Sequence, residues 1–582
     1  MWPFTSSYPE RNIEALRPRY DYVVLGGGNA GCVLARRLSE DGKNTVLLVE
    51  RGDARDSWRD KTPLLSFHHV SDGKHSNVIQ SVHSSEMGRS TTLVCGKGLG
   101  GTTRINSQQY TCGVPAQFNS WSEQGRKGWS YKELKPYFDK SERWLGPVPK
   151  EYHGLNGPLQ VRSFEGYHYE SSKRAADAAR NIGFLDIIDM HSPLEPSMGF
   201  NKLQYTIDSS GYRQTAFRAY LPQEFVDTHP NLHICTKTLA CKLEFSDKSI
   251  GTLRAEAVEL RAIDGTQRRV IKAGHEIILA CGALHTPKLL LLSGVGPRDQ
   301  LQRMGVSVLK HSPGVGEHLQ DHMLCQTIYN IPLSGSLWEM TKRPTALLRE
   351  VYNYVRYGTG WFLSTLAEME VFGMSPLIGS DGKPSTLSEA QLDPFNPQNL
   401  PDFGVLLIAI GDISVPGVDK SKGIISLTAG LLLVQSRGTL RLRSADPMVD
   451  PDCDLQYLTS PADYAALRAA LRVSAAIAQE MRANGYQMDD VLVPDTSSDA
   501  ALDDFIRKTA DTMYHYSSSC RMAPEDDERP GVVDDELCVY GIDNVRIADA
   551  SIFPEVPATH PQALIYAVAE KCADLVLQNA SA

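Results

Sequence analysis

Apolar and polar positions along the chain fall into short blocks whose spacing predicts alternating strands and helices. Residues 22–25 form a continuous apolar run, the pattern of a buried strand. Glycines at 26, 28 and 31 follow, and residues 32–38 take up a helical period. A second run, at 44–49, ends in Glu50. Further strands are predicted at 159–161, 232–235, 240–245, 253–260 and 269–273, with a helix over 213–221. The run at 276–280 reads as a fully buried strand, and Cys281-Gly282-Ala283 turns it into a helix at 286–292. From about 326 to 510 the idiom changes. Strand-like runs at 405–409, 424–433 and 439–442 alternate with irregular stretches, and a helical pattern covers 461–482. Beyond residue 513 the first idiom returns, with a strand in 544–551 and a C-terminal helix carrying Leu564, Ala567, Val568, Cys572 and Leu575 on one face. Residues 1–19 read as a polar arm. Residues 53–92 read as a surface excursion whose His68, His69, His75 and His83 are solvated and lack the spacing of metal ligands.

The first strand, turn and helix carry a chemistry. Gly26, Gly28 and Gly31 form G-x-G-x-x-G: the first turns the chain, the second lets backbone approach a pyrophosphate, the third lets helix and strand pack closely. The phosphate then sits at the positive end of the helix, beside Asn29 and Ala30. Glu50 lies 22 residues beyond Gly28, close to the spacing of about 20 expected of an acid that binds a ribose. A lone glycine pattern says little, because tight turns need glycine for backbone reasons. Here the strand, the helix and the acid all accompany it, which points to dinucleotide binding. A second glycine cluster, Gly96 to Gly101 with Thr102, Thr103, Arg104, Ile105 and Asn106, again implies backbone held close to something flat or phosphorylated, though a plain glycine-rich loop fits it equally well.

Composition narrows the class. The 582 residues exceed one ordinary core, so two or more domains are expected. A net charge of −10 argues against a nucleic-acid partner. No apolar run approaches the ~18 residues of a membrane helix. Eleven scattered cysteines without C-x-x-C fit a reducing compartment. With no secretory or peroxisomal signal in view, a cytoplasmic protein is expected.

Four blocks in order resemble the glucose–methanol–choline family of FAD-dependent oxidoreductases: Gly26 to Glu50; Gly96 to Asn119; Gly282 to Gly296 with Gly314-Val315-Gly316-Glu317-His318-Leu319-Gln320-Asp321-His322; and Tyr514-His515 with Asp549-Ala550-Ser551 and Thr559-His560-Pro561. The resemblance spans the chain. It implies an α/β fold with a Rossmann-type FAD-binding domain (residues 1–325), a substrate-binding domain of mostly antiparallel sheet flanked by helices (326–510), and a return to the FAD domain (511–582). It implies that Gly26, Gly28, Asn29, Ala30, Gly31, Glu50, Gly101, Thr102, Thr103, Asn106, Ala240, Asp549, Ala550, His560, Pro561 and Gln562 line non-covalently bound FAD. Ile105 stands where flavin-linking relatives carry histidine, and Ala240 where valine is usual.

By the same resemblance His515 is the catalytic base and His560 its partner in oxidising an alcohol, with aryl, polyene and natural-product alcohols among the candidates. Histidine suits the task because its reference pKa of about 6.5 lets a modest shift place it at working pH. O2 or a quinone-like compound is the expected electron acceptor, and no metal, membrane or nucleic acid is implied. Alternatives are a lyase-type, non-redox reaction on the same scaffold and a protein that has lost catalysis. Tyr516-Ser517-Ser518-Ser519 replaces the family's usual Pro-x-Gly-Thr, which leaves the depth of the pocket floor open. Trp361, Phe362 and Phe372 fit either an aromatic gate or core.

Overall fold

The first strand, β1 (Arg19–Leu25), is the centre of a seven-stranded sheet. Tyr22, Val23, Val24 and Leu25 are fully buried, and each such side chain stabilises the fold by roughly 1.5–3 kcal/mol. Helix α1 (Asn29–Ser39) crosses over to β2 (Val46–Val49), which lies parallel to β1, and strand Leu232–Cys235 continues the parallel order. On the other side lies Arg268–Leu279. Its first part pairs antiparallel with Ala255–Ala262, while Ile277 to Leu279 pair in parallel with Val545 to Ile547 from the far end of the chain. The computed structural model describes residues 8–65, 72–147, 150–246 and 252–581.

The second sheet has eight strands. Met323–Ile331, Gly423–Leu431, Phe403–Ile408 and Ala367–Gly373 follow one another antiparallel. Gly199–Lys202 then extends the edge and brings Asp186–Ile187 with it, in parallel. Helix Pro461–Ala483 covers this sheet, and its apolar side is small and aliphatic (Ala466, Leu467, Ala470, Leu471, Ile477), as close packing on a sheet requires. Thus the layer built mainly from residues 326–510 also takes strands from before residue 203.

Three sequence expectations change, and one reading left open is decided. The strands at 269–273 and 276–280 are one twelve-residue strand. The polar break at Gly274–His275 is an irregularity in its pairing with β1 and marks where one partner strand hands over to another. The helix at 213–221 shrinks to Ala216–Tyr220, because the Thr215 side chain caps it, leaving Arg213 outside to serve the site described below. The N-terminal arm is not wholly polar in its packing, since Ile13 and Leu16 are buried and the Tyr8 ring meets Phe217 edge-on at 4.9 Å. Trp361 and Phe362 belong to a core cluster with Tyr169, Met340 and Tyr354, and Phe372 packs with Leu432 and Ala558. They are core, not a gate. His75 pairs with Asp72 and His83 is exposed, whereas His68 and His69 lie outside the described residues. Among the described residues no helix is long and apolar enough to cross a membrane.

Candidate active site

A cavity of about 670 Å3 lies between the two sheets. One end is lined by Gly26, Gly28, Asn29, Ala30, Glu50, Gly101, Thr102, Thr103 and Asn106, and the other by side chains of the second sheet. His515, Asp549, Ala550, His560, Pro561 and Gln562 line the stretch between.

The glycine end is built by close backbone approach. A Cβ on Gly31 would lie 1.8 Å from the Gly26 carbonyl oxygen, so helix and turn can meet only with glycine there. At Gly28 a Cβ would meet nothing nearer than the Gly101 Cα at 3.8 Å. That glycine keeps free the space in front of α1, whose first turn has no side-chain cap. Unpaired N–H groups at a helix start, with room before them, are what a pyrophosphate needs. The residues therefore fit a dinucleotide such as FAD.

Glu50 has a role that the sequence did not suggest. Its Oε2 accepts from the Gly27 N–H (2.8 Å), and Oε1 accepts from Gly52 (2.7 Å) and Gly98 (3.0 Å). One buried carboxylate thus ties the two glycine-rich loops together. Thr103 is buried, donating to the Gly100 carbonyl and accepting from the Ala216 N–H, while Thr102 is the more open of the pair. Asn106 Oδ1 accepts from Arg213 at 2.8 Å, and its amide nitrogen donates to the Gln562 side chain. Arg213 is fully buried, also donates to the carbonyls of Thr103 and Asn106, and has its pKa pulled down to about 9 by burial. Nothing in its spacing distinguished it from a helix residue. Asp549 accepts from the Gly282 N–H (2.8 Å), the Thr286 hydroxyl (2.6 Å) and the Ser551 N–H (2.9 Å). It fixes the turn after strand Arg268–Leu279. Ala240 stands apart: it is half-buried on the outer strand Thr238–Phe245 and is not among the residues that line the cavity.

The histidines meet in the middle. The His515 and His560 rings are edge-on, with centroids 5.2 Å apart. His560 Nε2 lies 3.0 Å from Oε2 of the fully buried Glu370. His515 Nδ1 lies 2.8 Å from Nδ1 of His322. The His515 backbone N–H donates to Asp321 Oδ1 at 2.6 Å, and Asp321 Oδ2 accepts from Thr512 and Tyr457, each at 2.5 Å. These bonds hold a strained turn, with Tyr514 at φ 62° and Ser518 at φ 69°. A left-handed non-glycine residue costs on the order of 1–3 kcal/mol and persists only where its surroundings enforce it. Burial above all, and then the neighbouring His322 and His560, push the His515 pKa well below its usual value, so the ring is neutral at neutral pH. Tyr516 fills the floor, its hydroxyl accepting from the Val94 N–H at 3.1 Å, and Ser519 donates to the Ala283 carbonyl at 2.6 Å. Glu370, Asp321 and His322 escaped the reading of the sequence, although the last two lie in a quoted block.

Away from the cavity, His153 sits between Glu142 (2.7 Å from Nδ1) and Asp189 (3.2 Å from Nε2), with the Trp144 ring stacked on it. Glu142, His153 and His191 present donor atoms within 4.8 Å of one another, but two carboxylates already share the His153 ring. Burial opposes its charge, yet the two adjoining carboxylates, Asp189 and Glu142, prevail and raise its pKa to about 9. The folded state then holds this proton more tightly than the unfolded chain, whose pKa is about 6.5. The resulting stability is complete below pH 6.5 and is lost as pH rises through about 9. The melting temperature should therefore fall between pH 7 and 9.5, by less in His153→Gln. Equal slopes in the two proteins would show that the ring is not charged.

Two family models described as GMC oxidoreductase match residues 20–324 and 434–569. The chain is 32% identical over 570 residues to the oxygen-dependent choline dehydrogenase of Stenotrophomonas maltophilia (strain K279a), covering 96% of this chain and 94% of that relative. Among solved structures, formate oxidase superposes with a TM-score of 0.85 at 26% identity, over 97% of this chain and 99% of that one. Pyridoxine 4-oxidase from Mesorbium loti does so with a TM-score of 0.79 at 25% identity, over 95% and 98%.

Proposed function

The chain belongs to the GMC oxidoreductases, and from that premise we propose that it oxidises an apolar alcohol to an aldehyde or ketone with His515 as the base. It is an FAD-dependent alcohol oxidase or dehydrogenase in the sense of its family. The observation that carries the finer reading is the convergence of His515 and His560 on the cavity wall, between the glycine loops and the second sheet. Bound FAD supplies the acceptor for the hydride that leaves the carbinol carbon. The chain's own part is to hold the cofactor on the residues named above, orient the hydroxyl and take its proton. A neutral His515 ring accepts that proton on Nε2, the nitrogen not engaged by His322. His560, anchored at Nε2 by Glu370, stands edge-on beside His515 and orients the substrate there.

The far end of the cavity is largely aliphatic, lined by Leu324, Leu366, Leu406, Ile408, Ile410 and Met513, with Gln326, Thr428, Asp412 and Tyr514 beside them. The aliphatic share of this wall supports an apolar alcohol body; Asp412 and the Tyr514 ring are the groups there that a quaternary ammonium would need. The division at residues 325 and 510 into FAD and substrate domains belongs to the same proposal, as does reoxidation by O2 or a quinone.

The test is an anaerobic panel of choline, pyridoxine, formate and benzyl alcohol with larger aryl and polyene alcohols, followed by reoxidation with O2 or a quinone. Bleaching of the flavin by an apolar alcohol is expected. Turnover of an alcohol adduct with the flavin oxidised throughout would instead mark a lyase and sink the oxidation. The FAD should also be released by acid, because Ile105, buried at the cavity edge, offers no nucleophile. Yellow colour retained in the acid precipitate would contradict non-covalent binding.

A further inference from the structure

Resting on the role proposed for His515, we infer that His322 is a positioning residue that fixes the His515 tautomer, leaving the bare Nε2 of His515 to face the substrate. His322 is fully buried and is not among the residues lining the cavity, so it cannot meet substrate itself. Its placement is enforced by backbone. Met513 N–H donates to the His322 carbonyl (2.9 Å), Met323 pairs with Thr512, and Gln320 and Ser517 exchange two bonds, at 3.0 and 2.9 Å. A short ladder therefore straddles both histidines and brings the rings together edge-on, with centroids 5.0 Å apart.

Two Nδ1 atoms at 2.8 Å can share one hydrogen only, so one ring donates and the other accepts. The environment of His322 decides which. Its remaining polar atom, Nε2, is buried without a well-directed partner, and the acceptors beside the ring are the backbone carbonyls of Leu432 and Pro557. A carbonyl cannot donate, so Nε2 of His322 keeps its hydrogen. Burial, and then the nearby His560, push the His322 pKa down to about 3, so the ring is neutral and its Nδ1 is bare. The bond then runs from His515 Nδ1–H to His322 Nδ1. In the opposite tautomer His515 would present an N–H to the alcohol and could take no proton. Once Nε2 is protonated, the Nδ1–H bond becomes charge-assisted and stronger. The logic is that of an orienting group behind a catalytic histidine, with a neutral imidazole in place of a carboxylate.

Three variants and one measurement on the unaltered holoenzyme test this. His322→Leu keeps the apolar volume and removes the acceptor. His322→Asn restores an acceptor oxygen near the place of Nδ1. Rapid anaerobic reduction is followed with whichever of choline, pyridoxine or benzyl alcohol reduces wild-type flavin fastest. His322→Leu should retain FAD, bind substrate within about threefold of wild type, and reduce its flavin roughly 10–10²-fold more slowly, short of the ~10⁴-fold loss of a ring locked in the wrong tautomer. His322→Asn should recover most of that loss. Wild-type reduction in His322→Leu would overturn the proposal, and so would an equal loss in both variants, since packing alone would then account for it. A His515→Ala enzyme at wild-type rate would remove the underlying reading and the proposal with it. Should His322→Leu fail to fold, 15N spectra of histidine-labelled holoenzyme decide, with the His515 signals assigned by their absence in His515→Ala. A protonated Nδ1 and bare Nε2 on His515 near pH 7.5 are expected, and the reverse tautomer would overturn the proposal.

Discussion

Replacing His515 with alanine is expected to slow reduction of the bound flavin by roughly 10²–10⁴-fold, the usual contribution of a positioned acid–base group. FAD content should be unchanged, because in the proposed site the glycine loops, tied by Glu50, and the linked Asn106 and Gln562 would hold the cofactor rather than this ring. The neutral ring is the active form, and burial depresses its pKa well below the usual value. The reduction rate should therefore be flat through neutral pH and fall only on acidification well below pH ~6.5. The groups facing His515 are His322, His560 and, through the backbone N–H, Asp321. The acid limb should vanish in His515→Ala. His560→Asn, which keeps a hydrogen-bonding group beside the substrate, should lose less than His560→Ala, which also strands the buried Glu370 carboxylate. If His515→Ala reduced at wild-type rate while His560→Ala were inactive, the two roles would be reversed.

Glu50→Ala should act on cofactor retention instead. It removes the acceptor shared by the Gly27, Gly52 and Gly98 N–H groups, and buried groups left unpaired cost about 1–3 kcal/mol. To the extent that FAD binding must restore the loop arrangement, that is up to roughly 5–150-fold in the FAD dissociation constant. The flavin-to-protein ratio after gel filtration measures it, and added FAD should restore turnover. Glu50→Gln retains one acceptor oxygen and should fall between alanine and wild type. Full occupancy with slow turnover would place Glu50 in the chemistry rather than in the cradle.

Local elements were readable because their signals lie within a few residues of one another. Gly28 and α1 followed from a pattern six residues long, and helix Thr286–Leu292 from its apolar run and flanking glycines. Strand Arg268–Leu279 was read as two because sequence shows the polar break at Gly274–His275 but not the partner strands that span it. Trp361 and Phe372 could not be placed, since an aromatic ring fills a core and a pocket with the same chemistry. Glu370 looked like any strand acid until Ala367–Gly373 was seen to run beneath His560.

The sequence by itself determined the α/β class, the dinucleotide cradle, the family and the two histidines facing the cavity, because each rests on contiguous residues or on a motif that keeps its order along the chain. Only the tertiary structure decided what stands behind those histidines and what lies in front of them. His322 meets His515 across 193 residues and Glu370 meets His560 across 190. The first arises where the start of strand Met323–Ile331 is laced to the returning C-terminal segment, and the second where the interior strand Ala367–Gly373 meets the residues that open helix Gln562–Ser581. Burial there keeps the His515 and His322 rings neutral, and burial is a property of the assembled layers that no local pattern of residues carries.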